Sequence, residues 1–244
     1  MKKLLKTIVI PVVLILSLFI TNHAKSNIME DTGLNQKEKS LVKISSYTAQ
    51  GKIDELKNAL NEGLDAGLTL NEINEELVQL YAYCGFPKSL NGITAFMEVS
   101  KTRKEKGISD EQGKEIVMNN NVEDKYEQGR RVLEELTKMP QSKPAPGFGE
   151  FSPRIDAFLK EHLFADIFAS DVLSYHQREL ITIAALASMP GAESQLGAHI
   201  FMGMNVGVTE KQLQDLFTVI ESSVSEPAAE NGRRMLQNMM NSRR

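Results

Sequence analysis

The sequence predicts an all-α fold made of two tandem helical modules packed as a bundle, and three observations carry that expectation. The 244 residues are 41% apolar, yet only 6% aromatic with no Trp. Leu, Ala, Glu, Lys and Met dominate, a composition that favours helices over an aromatic-rich β-sandwich. The apolar residues recur at helical spacing between Pro- and Gly-marked breaks. The chain also matches itself at a separation of 140 residues: Gly51 falls on Gly191, Leu56 on Leu196, Gly63 on Gly203, Gly67 on Gly207, Thr69 on Thr209, Pro87 on Pro227, Asn91 on Asn231 and Gly92 on Gly232. Gly, Pro and Asn mark backbone geometry, so keeping them in step signals a repeated unit rather than shared polarity.

The amino terminus stands apart. Lys2, Lys3 and Lys6 precede an apolar run from Ile8 to Ile20, and Ala24 and Ser26 offer small residues at a cleavage site. Residues 1–26 therefore read as a secretory signal peptide, which implies export, with the periplasm as the expected compartment. An uncleaved membrane anchor is the alternative. Removing that segment leaves 24 basic against 32 acidic residues, moving the net charge from −4 to −8. Such a surface repels phosphate backbones and anionic lipid, so neither nucleic acid nor a stable membrane contact is expected. Cys84 is the one cysteine of the chain, which excludes an intramolecular disulfide.

The first module is expected over 27–101, a connector over 102–170 and the second module over 171–244. In the second, a helix from about Ser174 to Met189 stops at Pro190-Gly191, another runs from about Ala192 to Asn205 and ends before Gly207, and a third starts at the Thr209 N-cap with Gln212 three residues on. The first module repeats this pattern with Gly51, Gly67 and Thr69. In the connector, Met139 to Pro153 is a Pro- and Gly-rich loop. From Arg154, the spacing of Ile155, Phe158, Leu159, His162 and Leu163 predicts an amphipathic helix with His162 on its apolar side. No nucleotide loop, zinc spacing or nucleophile elbow is present, so neither cofactor nor metal is expected.

The informative residues are polar ones on an apolar stripe. His199 shares a helix face with Leu196, Ile200 and Gly203, and the first module places Ala59 at the matching position. Glu179 lies about as far before the Pro190-Gly191 turn as His199 lies after it, so an antiparallel hairpin sets the two opposite each other. With one residue of gap, Glu179 matches Ser40. The second module has thus gained both an acid and an imidazole. They form either a proton-transfer pair, with Glu179 fixing the tautomer of His199, or a buried polar pair that satisfies itself. Glu221 matches Tyr81 and is a candidate second carboxylate near the site. Arg178 and Arg154 are candidate cations for an acidic ligand, Tyr81 and Tyr83 candidate ligand contacts. Cys84 lies on an apolar face and reads as an inert thiol or, alternatively, a redox group.

The stretch Arg178-Glu179-Leu180-Ile181-Thr182-Ile183-Ala184-Ala185-Leu186-Ala187, followed by Gly191, Gln195-Leu196, His199 and Asn205-Val206-Gly207-Val208-Thr209, resembles the carboxymuconolactone decarboxylase family. Ala82-Tyr83-Cys84-Gly85-Phe86-Pro87 and Asn91 are similar to the family's Tyr-Ala-Gly-Phe/Trp-Pro segment with its following Asn. The resemblance implies all-helical modules in a homo-oligomer, a trimer or hexamer, acting on a small molecule either as a cofactor-free lactone decarboxylase or as an alkylhydroperoxidase. The peroxidase branch pairs its Glu and His with a Cys-x-x-Cys. Here the Glu and His match Glu179 and His199, but the cysteines fall on Ala192 and Gln195. Without a thiolate pair that chemistry has no nucleophile. The resemblance therefore implies decarboxylation or related proton transfer on a small lactone or carboxylic acid. An antioxidant activity through Cys84 and a non-enzymatic binding module are the alternatives.

Overall fold

A computed structural model of the chain describes residues 33–116 and 124–242. The expected signal peptide, residues 1–26, lies outside the described residues. In chain order the elements are α1 (Gln36–Gln50), α2 (Ile53–Asp65), α3 (Leu70–Glu105), α4 (Lys125–Thr137), α5 (Phe148–Phe151), α6 (Pro153–Ala157), a π-helix (Phe158–Ile167), α7 (Tyr175–Ala187), α8 (Glu193–Asn205), α9 (Glu210–Ser223) and α10 (Glu226–Ser242). No strand occurs among the described residues, and the protein is an all-α bundle of two tandem modules.

The repeat is visible in backbone geometry. Gly51 caps α1 at φ 73° and Gly191 lies in the turn between α7 and α8 at φ 79°, a left-handed conformation that a Cβ would strain. Both third helices start with reciprocal capping boxes, Thr69 with Glu72 and Thr209 with Gln212. The first helices start likewise, Asn35 with Glu38 and Ser174 with Gln177, one residue out of the 140 register. The hairpin seams show the same one-residue gap. A Cβ on Gly63 would touch Ser40, Ile44 and Leu68, and one on Gly203 would touch Glu179, Ile183 and Val208. Each module also holds a fourth helical stretch that helical periodicity alone did not separate. In α3 the chain turns at Gly85, φ 81° and ψ 157°, while the matching point of the second module is the break between α9 and α10.

The modules pack through symmetric contacts: α1 lies on α7, α1 on α9, and α7 on α3. One apolar core gathers Leu41, Ile44, Leu60, Ile73 and Leu77 of the first module, and another gathers Ile183, Leu196, Ile200, Phe217 and Ile220 of the second. A third, around Leu136, Phe164, Phe168 and Met202, joins the connector to α8.

The connector departs from expectation. α4 is a full helix ahead of the Pro- and Gly-rich loop, where no element is expected, and the amphipathic helix from Arg154 is mostly π-wound. Wider winding makes a stripe laid out at 3.6 residues per turn drift off the core side. Leu163, Phe164 and Ile167 are buried, whereas Ile155, Phe158 and His162 are exposed. His162 is thus not a core histidine: its Nδ1 lies 2.9 Å from Asp166 Oδ2 at the surface. Backbone meets backbone where α4 crosses the π-helix, since a Cβ on Gly129 would lie 1.8 Å from the Lys160 carbonyl oxygen. Beneath that crossing the fully buried Lys160 ammonium pairs with Asp156, which also accepts from Tyr126 Oη at 2.5 Å.

The symmetric glycines give a graded expectation. A Cβ on Gly232 would lie 2.2 Å from the Phe217 ring, and one on Gly92 would lie 2.9 Å from a terminal methyl of Leu77, which can rotate away. Gly232→Ala should therefore cost about 1–3 kcal/mol and Gly92→Ala clearly less, measured as midpoints of urea unfolding.

Candidate active site

The hairpin of α7 and α8 brings Glu179 and His199 together. Nδ1 of His199 donates to Oε2 of Glu179 over 2.8 Å, with the carboxyl fully buried and the histidine 7% exposed. A carboxylate there only accepts, so it selects the tautomer with the proton on Nδ1 and leaves Nε2 free to exchange protons with a ligand. Nε2 has no hydrogen-bond partner among the described residues. The close seam at Gly203 is what lets the two helices approach. Tyr83 of α3 packs edge-on against the imidazole, with ring centroids 5.3 Å apart.

Three buried polar atoms of this cluster make no hydrogen bond: Tyr83 Oη, Glu179 Oε1 and Arg178 Nε. Burial, and then the charge of Glu179, push the Tyr83 phenol far above its ordinary pKa, so it is a neutral donor. Arg178 itself is spent on structure. It is fully buried, donating to Gln79 Oε1 at 2.8 Å, Glu75 Oε1 at 2.7 Å and the Ser170 carbonyl at 2.8 Å, with Phe168 beneath its guanidinium. Burial lowers its pKa and the Glu75 carboxylate opposes that. Gln79 Nε2 returns bonds to the Arg178 carbonyl and to Thr182 Oγ1, both at 3.0 Å.

Family models place this geometry. The carboxymuconolactone decarboxylase family model matches residues 19–98 and 153–238, once for each module. The chain belongs to the carboxymuconolactone decarboxylase family. It is also similar to a 4-carboxymuconolactone decarboxylase of Acinetobacter baylyi, 29% identical over 97 residues that cover 39% of this chain and 72% of that relative.

Against that family background, the other candidate residues fall in three places. Glu221 is exposed and ion-paired with Arg233, so the structure does not bring it to His199. The buried face of α9 carries Leu213, Leu216, Phe217, Ile220 and Ser223, and Glu221 lies off it on the solvent side. Tyr81 is half-buried against the connector core, stacked on Phe86 at 4.5 Å and near His162, and Arg154 is exposed over Phe158. Cys84 packs against the first module's core and donates to the Leu80 carbonyl at 3.1 Å, while burial pushes its thiol pKa up, partly offset by Lys88. That is the environment of an inert thiol. Among the described residues, no three His, Cys, Asp or Glu side chains are grouped to hold a metal ion.

Sequence reading missed Glu75 and Gln79, which share a face of α3 four residues apart, and the fully buried Glu76 beside them. Their signal was polarity at buried helix positions, detectable at position 76 because the second module has Leu216 there. Ser45 Oγ donates to Glu76 Oε1 at 2.7 Å, and Oε2 has no partner. Burial holds the Glu76 pKa well above the ordinary carboxyl value, with the Ser45 bond pulling weakly the other way.

Two outcomes follow from these buried groups. Arg178→Met strands Glu75 without its cation and should cost about 3–5 kcal/mol in urea unfolding. For Glu76, a folded pKa above the unfolded one means that the native state keeps a proton the unfolded state releases. Its destabilising effect is therefore absent in acid, begins as pH rises past the unfolded value and grows until the folded pKa is reached. Glu76→Gln should raise the melting temperature at pH 7.5, by about 2–4 °C per kcal/mol relieved, and the gain should vanish near pH 4 by calorimetry.

Proposed function

We propose that the protein is an exported, cofactor-independent enzyme of decarboxylase type, acting on a small lactone or carboxylic acid with His199 as general acid and base. The observation that carries this reading is the buried 2.8 Å Glu179–His199 bond that leaves Nε2 without a partner. A group meant only to satisfy itself has no need of an unpartnered face, whereas a proton carrier does. The matching positions Ser40 and Ala59 leave the first module without such a pair of its own.

In the proposed reaction the bond between ring carbon and carboxylate breaks, its electron pair moves into the adjacent conjugated carbonyl to give an enolate, and CO₂ leaves. The His199 imidazolium then passes the Nε2 proton to carbon, and solvent returns a proton to the ring. Glu179 holds the imidazole in register throughout. Export through residues 1–26 belongs to this proposal. So does assembly as a homo-oligomer, supported by Phe86, Leu90 and Met97, which leave an apolar face of α3 in solvent.

A second reading, a binding or assembly module without catalysis, is favoured by one observation. Two cavities of about 400 Å³ lie along α3 and the segment after it, lined by residues such as Lys57 and Arg103 in one and Leu70 and Phe96 in the other, and neither is lined by His199 or Glu179. Release of CO₂ from 4-carboxymuconolactone by the purified chain separates the two. His199→Gln and Glu179→Gln should each lower turnover about 10²–10⁴-fold with melting temperatures close to wild type, while alkylating Cys84 should leave turnover unchanged. Full activity in His199→Gln removes the proposed role. A wild-type chain inert toward this lactone and related acids leaves the binding module.

A further inference from the structure

The Glu179–His199 pair belongs to the second module, yet the ring edge-on to the imidazole, Tyr83, comes from the first. The Tyr83 hydroxyl is buried and makes no hydrogen bond among the described residues, although Thr182 lies near it. The same is true of Glu179 Oε1 and Arg178 Nε. Leaving a buried polar atom unpaired costs stability that a bound partner restores. Two of these atoms, Tyr83 Oη and Glu179 Oε1, belong to the residues that contact the imidazole, and they mark a place where a polar group is meant to bind.

The internal repeat supports the same grouping independently. In the register of the repeat, Glu179 corresponds to Ser40, His199 to Ala59, and Tyr83 to Ser223. Glu179 packs against Gly203 as Ser40 packs against Gly63, and Tyr83 and Ser223 both lie just before the break in the third helical stretch. The symmetric contacts of α7 on α3 and of α1 on α9 thus create two related positions. One holds a carboxyl, an imidazole and a phenol; the other holds none of them. Three groups that are present together at one position and absent together at the other behave as a unit.

We infer that Tyr83 is a ligand-binding residue of a composite site, its hydroxyl donating to an oxygen of a small lactone or oxyacid held against His199 Nε2. The inference rests on the Glu179–His199 pair being the working centre. In lactone decarboxylation the Tyr83 hydroxyl would face the carbonyl oxygen that gathers negative charge as CO₂ departs. It donates a hydrogen bond and keeps its proton, and the proton delivered to carbon comes from His199. The first module is then more than scaffold, because it supplies one of the groups that touch the ligand.

The test uses the full chain and paraconic acid, a stable γ-lactone carrying one carboxyl, titrated against protein with ¹³C-labelled His and Tyr rings. The expected result is a saturable shift of the His199 and Tyr83 signals together, with the remote Tyr47 unmoved. Tyr83→Phe, which removes only the hydroxyl, should weaken binding at least about tenfold while the His199 signal stays native-like. Equal affinity in Tyr83→Phe, a Tyr83 signal that moves no more than that of Tyr47, or no binding by wild type overturns the inference. Turnover keeps this separate from the function itself. Loss in His199→Gln with full activity in Tyr83→Phe sinks Tyr83 alone. Full activity in His199→Gln sinks the proton carrier, even if Tyr83→Phe still weakens binding.

Discussion

The buried guanidinium of Arg178 is the constraint on which the rest of the molecule depends. It has no exposed surface, and its two terminal nitrogens reach Glu75, Gln79 and the Ser170 carbonyl. A charge taken that far from water is tolerable only with its partners in place, so α7 of the second module and α3 of the first cannot turn or slide independently. Glu179 follows Arg178 directly, and successive helical residues point about 100° apart. Holding Arg178 against α3 therefore aims Glu179 at α8, where His199 waits. The junction between modules and the candidate active site are in this sense one construction.

The tandem arrangement permits asymmetry. A single helical module of this length cannot bury both faces of its helices, and a second copy supplies the missing surface. Once the two are joined in one chain, each related position can change without altering the other. The second module carries the carboxyl and imidazole in its hairpin seam; the first has small residues there and puts polarity into its third helix instead, at Glu75, Glu76 and Gln79. Glu75 and Gln79 serve the junction. Glu76, with one oxygen unpartnered in an apolar core, is a local cost whose role no contact explains.

Much of this was legible in the residues. The helix breaks at Gly51, Gly67, Gly191 and Gly207 follow from local backbone demands and appear where the repeat puts them. The approach of Glu179 to His199 followed from helical rise counted outward from one turn. What failed was reasoning that carried a helical stripe too far. Glu221 and His162 each sit on an apolar period, but one lies off the buried face of α9, which runs on through Ile220 and Ser223, and the other is on a π-wound segment; both are exposed, Glu221 paired with Arg233 and His162 bonded to Asp166. Arg178 reads as a free cation in a string of letters because nothing in the string shows the carboxylate of Glu75, 103 residues away, closing on it.

The amino-acid sequence alone determined the helical class, the tandem repeat and its register, and the two residues that distinguish the second hairpin. Those depend on interactions within a few turns of helix or on comparison of one copy with the other. Tertiary structure decided that Tyr83 crosses from the first module to the imidazole of the second, that Arg178 is a strut, and that Cys84 faces a core. Such pairings are set by how helices distant in sequence dock, and docking depends on the packing of whole faces, which no local spacing encodes.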